Sequence, residues 1–162
     1  MSKQAVFDAL KYRVEVDTCG TFRYFNNAGQ LHRTDGPAIE KSDSTKEWWC
    51  NGKRHRTDSP AIVCTNGHKE WWQNGQLHRE NGPAIEYATG GKEWHRNGQL
   101  HRENGPAIEW ANGAKSWYQN GQLHRTDGPA IIWNDGVKEW WLGDRQLTED
   151  ELNQAVKQKQ NV

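Results

Sequence analysis

Apolar side chains are scarce in this chain of 162 residues: the hydrophobic fraction is 33%, with 3 Phe and 1 Met, and the mean hydropathy is −1.11. That excludes a thick core of the ordinary kind, and by composition alone it would point to disorder. No run approaches the roughly 18 apolar residues of a membrane span. No apolar stretch precedes a cleavage signal near the N-terminus, so a cytoplasmic chain without a membrane span is expected. Cysteine is limited to Cys19, Cys50 and Cys64, an odd number without metal-ligand spacing, which fits free thiols in a reducing compartment. Excess positive charge is also missing. With 21 basic and 21 acidic residues, the chain is not expected to bind nucleic acid, which needs cations to neutralise phosphates. Phosphate-binding glycine loops, paired-cysteine motifs and a unique histidine constellation are lacking too. No enzyme, cofactor or metal site is therefore expected.

What the chain does have is tryptophan, 10 in all. Each can bury roughly 200 Å², and they recur at a fixed step. Trp48, Trp71, Trp94, Trp117 and Trp140 stand 23 residues apart, as do His32, His55, His78, His101 and His124, and Ile39, Ile62, Ile85, Ile108 and Ile131. "NGQLHRENGPAIE" occurs identically from Asn74 and from Asn97. Counting back 23 residues from Trp48 and Ile39 reaches Phe25 and Val16, so "VEVDTCGTFRYF" reads as a degenerate first unit. A period held without insertion implies units that stack on one another.

Within a unit, "PAIEY" and "KEWW" read as two strands of about five residues. They would be joined by tight turns at Asn66-Gly67, Gly90-Gly91, Asn112-Gly113 and Asp135-Gly136, with "NGQLHRENGP" linking one hairpin to the next. The fold expected is all-β, a single-layer solenoid of six stacked β-hairpins with a short C-terminal capping helix. Its parts would be an N-terminal cap and degenerate hairpin (1–26), five 23-residue repeats (27–143), and a capping helix and tail (144–162). In the tail, Thr148 and Glu151 form a capping-box pattern and place a helix over 149–159. "QAVFDALK" could add a helical turn at the other end.

A unit of this length, with an aromatic, Asn-Gly and then a basic-rich turn, resembles the MORN repeat. Arg33, Arg56, Arg79, Arg102 and Arg125 stand where MORN units usually carry Gly. Strings such as "NGQLHRENGPAIE", "KEWW" and "LTEDEL" bring it closer to MORN-variant repeats of small bacteriophage and bacterial proteins. The resemblance covers about residues 12–152. It implies an interaction or membrane-association module, and for a phage-type member an accessory factor that inhibits or redirects a bacterial host defence protein in the host cytoplasm.

Two sets of residues are candidates for binding. The aromatic column Trp49, Trp72, His95, Tyr118 and Trp141, flanked by Glu70 and Glu93, could anchor a protein partner if its face is exposed. His95 in that column argues for exposure. Tyr87, Trp110 and Trp133 add aromatics, on what reads as the opposite face. The pairs His55-Arg56, His78-Arg79, His101-Arg102 and His124-Arg125 could grip a small anionic ligand such as a nucleotide. The favoured reading is structural, each Arg pairing with the acidic residue two positions on, as Arg33 with Asp35, or capping loop carbonyls. Free hairpin edges at the array ends would allow an end-to-end homodimer.

Overall fold

The computed structural model describes residues 11–160. The helical turn expected over residues 4–11 falls almost wholly outside them. The chain divides into two compact units, Met1–Gln76 and Leu77–Val162. Each is an all-antiparallel sheet of very short strands. In the first unit the order is Arg13–Val16, Phe22–Phe25, Ile39–Glu40, Lys46–Glu47, Ile62–Val63 and Lys69–Glu70. In the second it is Ile85–Glu86, Lys92–Glu93, Ile108–Glu109, Lys115–Ser116, Ile131–Ile132, Lys138–Leu142 and Arg145–Leu147. Among the described residues one helix, Glu149–Gln160, follows the last strand.

Most strands are two residues long, not five. The reason is a corner at the repeating tryptophan. The Trp94 N–H donates to the Ala107 carbonyl, while the Trp94 carbonyl accepts from His101 N–H. Trp48 and Trp117 do the same with Ala61 and His55, and with Ala130 and His124. Beyond the corner the chain pairs afresh, in small ribbons such as Trp49–Cys50 with Lys53–Arg54 and His95–Arg96 with Gln99–Leu100. Each full repeat thus holds two hairpins where one was expected.

The tight turn closes the second hairpin. Asn97 (φ 51°) and Gly98 (φ 81°) are both left-handed, the type I′ geometry that suits the strand twist. The turn expected to be tight is wider. Tyr87 N–H donates to Gly91 O, and only Gly90 (φ 95°) is left-handed there.

The 23-residue count slips by one at the start. Tyr24 N–H donates to Ala38 O and its carbonyl accepts from His32 N–H, the two bonds Trp48 makes with Ala61 and His55. Tyr24, not Phe25, holds the tryptophan position, and Glu15, paired with Arg23, takes the place assigned to Val16. The additional residue lies in the turn around residues 26–29.

The core is thin. Ala38, Ala61, Ala84, Ala107 and Ala130 are fully buried, with Ile39, Ile62, Ile85 and Ile131 nearly so. Backbone N–H groups donate to the carbonyls of Ala38, Ala61, Ala107 and Ala130. Successive repeats are tied by main-chain bonds, such as Gly98 N–H to Leu77 O and Gly121 N–H to Leu100 O. They are tied also by histidine Nδ1. It accepts the N–H of the residue nineteen positions on: Asn51 to His32, Asn74 to His55, Asn97 to His78 and Asn120 to His101, each at 3.1 Å. At the C-terminus, Thr148 N–H donates to Glu151 at 2.7 Å and Glu151 N–H returns to Thr148 Oγ1 at 3.3 Å. This reciprocal cap starts a helix that buries Leu152.

Candidate functional site

Glutamates of the sheet organise the aromatic columns. Trp49 Nε1 donates to Glu47 at 3.1 Å, Trp72 Nε1 to Glu70 at 2.7 Å, and Trp141 Nε1 to Glu139 at 3.0 Å. His95 Nε2 stands 2.8 Å from Glu93 Oε2. Tyr118 faces a different partner, because Ser116 replaces the glutamate two residues before it, and burial pushes the Tyr118 phenol pKa up. The column is half-buried, and His95 is only 9% exposed. The expectation that His95 marks an exposed face is therefore corrected. A carboxylate two residues earlier lets an imidazole stand where the other units have an indole or phenol.

Two of these glutamates, Glu93 and Glu139, also hold members of the second aromatic row. Tyr87 Oη donates to Glu93 Oε1 at 2.8 Å, and Trp133 Nε1 to Glu139 Oε1 at 2.7 Å. Glu93 and Glu139 each bridge two rings, so there the two rows lie on one face and not on opposite faces as expected. The outer row is the exposed one: Tyr87 and Trp110 are 40% exposed and Trp133 41%. Trp110 and Trp133 stack with centroids 6.4 Å apart and planes 22° apart. Val137 beside them is also exposed.

These contacts set the charge state of the glutamates. The His95 hydrogen bond, helped by Tyr87, holds the Glu93 pKa below the usual range against burial. Glu47 is nearly buried, which opposes ionisation, but Lys41 at 2.8 Å, Trp49 and Arg54 outweigh this and its pKa is also lowered.

The His-Arg pairs are held in place by their own repeats. Arg56 lies 3.7 Å over the Trp48 ring, Arg102 3.8 Å over Trp94, and Arg125 4.1 Å over Trp117. Each of these arginines, and Arg79, donates from Nη1 to a proline carbonyl four residues on. Arg79 and Arg102 also pair with Glu86 and Glu109; Arg125 pairs with Asp127 and Arg33 with Asp35. Arg56 has no such carboxylate, because Val63 stands at that place, and burial lowers its pKa. Gly82 and Gly105 make room for the guanidiniums: a Cβ there would lie 3.0 Å and 3.1 Å from the arginine Cζ. The arrangement fits the structural role for the arginines and leaves them little free donor capacity.

One cleft brings members of both candidate sets together. It has a volume of about 580 Å³ and is lined by His78, Arg79, Trp94, His95, His101 and Arg102 among others. Sequence periodicity could not have found it, since it depends on one repeat carrying His95 where others carry Trp or Tyr. Among the described residues, no group of three or more His, Cys, Asp or Glu is placed to hold a metal ion, and no helix is long and apolar enough to cross a membrane. No protein-family model matches the chain, and no curated protein matches it.

Proposed function

We propose that the protein is a non-enzymatic repeat scaffold that binds another protein through its outer aromatic row. The observation that carries this reading is the exposure of Tyr87, Trp110 and Trp133 in register on one sheet face. Two of them are fixed by glutamates through their polar edges. Aromatic side chains with apolar faces open and polar tips satisfied lose little rotamer freedom on docking, which is why Trp and Tyr dominate binding hot spots. Within the inner column, His95 and Trp141 share their glutamates, Glu93 and Glu139, with Tyr87 and Trp133 of the outer row.

On this reading the chain is a stacked-hairpin array of the MORN-variant kind. The resemblance extends the proposal to a phage accessory factor acting on a bacterial host protein. The test replaces Trp110 and Trp133 with alanine together and compares quantitative co-purification from bacterial lysate with that of the unaltered chain. A specific partner should drop out at least tenfold while the far-ultraviolet circular dichroism is unchanged. If every partner is retained at equal yield, the outer row is not the binding face.

A further inference from the structure

The strand Arg13–Val16 stands at the edge of the first unit's sheet, and among the described residues no strand pairs with its outer side. The register shows what that side offers. Tyr24 N–H donates to Ala38 O and its carbonyl accepts from His32 N–H, so both groups face away from Arg13–Val16. Val14, opposite Tyr24, therefore turns its own N–H and C=O outward, and Val16 does the same two residues on. The inward-bonded pairs are Arg13 with Phe25 and Glu15 with Arg23, and Asp17 N–H to Thr21 O at 3.2 Å continues that series. The side chains are open as well: Val14 is 44% exposed, Val16 56%, and Phe22, opposite Val16, 43%. Such an edge is a template for another strand. In the second unit, by contrast, the last strand Arg145–Leu147 packs against the helix Glu149–Gln160.

The residues of this edge are complementary to themselves. When two copies pair antiparallel, outward-facing residues must oppose outward-facing ones. Val14 against Val14 then sets Arg13 opposite Glu15 on both sides of the twofold axis, where opposite charges attract. One step on, Val14 against Val16 sets Glu15 against Glu15. Its Arg13–Asp17 contact would also compete with the bond that Asp17 accepts from Arg23 at 2.9 Å. One step back sets Arg13 against Arg13. The Val14 register alone matches the charges, and it keeps the valines on one face and the ions on the other. Arg13 is already steadied for the role, 3.0 Å from Glu15 and 4.7 Å over the Phe25 ring. We infer that a second copy of this chain pairs antiparallel along Arg13–Val16, with Val14 opposite Val14, to give a twofold dimer. Each copy uses the same edge, so assembly stops at two. The contact is small, and a Kd on the order of 10–100 µM is expected. It is separate from the outer aromatic row and does not rest on the protein-binding proposal.

Sedimentation velocity of the full chain from about 5 to about 500 µM spans that Kd. The mass should rise from 18.7 kDa toward twice that value. Val14→Pro removes an outward N–H and no bond to Phe22–Phe25, so it should stay monomeric with unchanged far-ultraviolet circular dichroism. Arg13→Glu and Glu15→Arg each set like charges face to face, and each should weaken self-association about tenfold. An equimolar mixture of these two variants should regain it, because every glutamate then faces an arginine. That rescue reports the register, and it holds as a test even where the proline disturbs the hairpin. Four results would overturn the inference: a monomer at the highest concentration, a mass that climbs past the dimer, unchanged association in a folded Val14→Pro, or a mixture no tighter than its components.

Discussion

Arg102 illustrates how much a single side chain does in so thin a fold. Its guanidinium covers Trp94, donates to the Pro106 carbonyl at 3.0 Å and pairs with Glu109 at 2.9 Å. Arg102→Ala should therefore cost about 2 kcal/mol, from a charge-assisted hydrogen bond and a cation–π contact. Arg102→Lys should recover less than half, because an ammonium cannot lie flat on the ring and reach both oxygens. Urea denaturation followed by tryptophan fluorescence measures both, and a loss under about 0.5 kcal/mol would show the guanidinium to be idle. Glu93 supplies a pH dependence. Its pKa is depressed in the folded chain, first by the His95 hydrogen bond. The stability it contributes is present above the unfolded carboxylate value of about 4.3 and is lost as pH falls through the folded value. Glu93→Gln should thus be less stable than the parent at about pH 7, with the difference shrinking by about pH 3. Equal urea-midpoint differences at the two pH values would contradict this. These pairings were hidden in the sequence, where a glutamate two residues before an aromatic looks like any solvated charge.

At the level of elements, some features were written plainly in the residues and others were not. The C-terminal helix was legible because capping is local: Thr148 and Glu151 specify it within four residues. Leu152 is its anchor, 2% exposed, against Lys138–Leu142 and Arg145–Leu147. Leu152→Ala should cost about 2–5 kcal/mol, detected as a lower thermal midpoint with loss of helical circular dichroism. An unchanged midpoint would mean that the helix caps nothing. The strands were less legible. "KEWW" has the composition of one continuous strand, and the corner at the tryptophan arises from bonds to Ala107 and His101 in the segment that follows, which composition does not show. The shift at the first unit was masked because Tyr24 and Phe25 are both aromatic. Only the pairing of Tyr24 with Ala38 and His32 distinguishes them. The inner aromatic column was visible as a column, but its half-buried state depends on which rings the glutamates draw in.

Over the molecule as a whole, the period makes the chain modular. Within the second unit every repeat is bonded to its neighbours by the same few contacts. Removing residues 97–119, one full period, joins Arg96 to Asn120 and reproduces an existing junction. The shortened chain should stay folded with a lower urea midpoint, as expected when stability sums over neighbours. Removing residues 97–108 should abolish folding of the second unit, because His78 would lose Asn97 and Asn120 would lose His101. Two equally folded products, judged by circular dichroism, would refute this modularity. The contact from each histidine to the asparagine nineteen residues on also has a consequence for synthesis. A rung needs nothing from distant sequence to complete it. At the usual ribosomal pace of roughly 5–20 residues per second, a new rung could lock onto its predecessor about every one to five seconds, so the nascent protein would emerge already zipped.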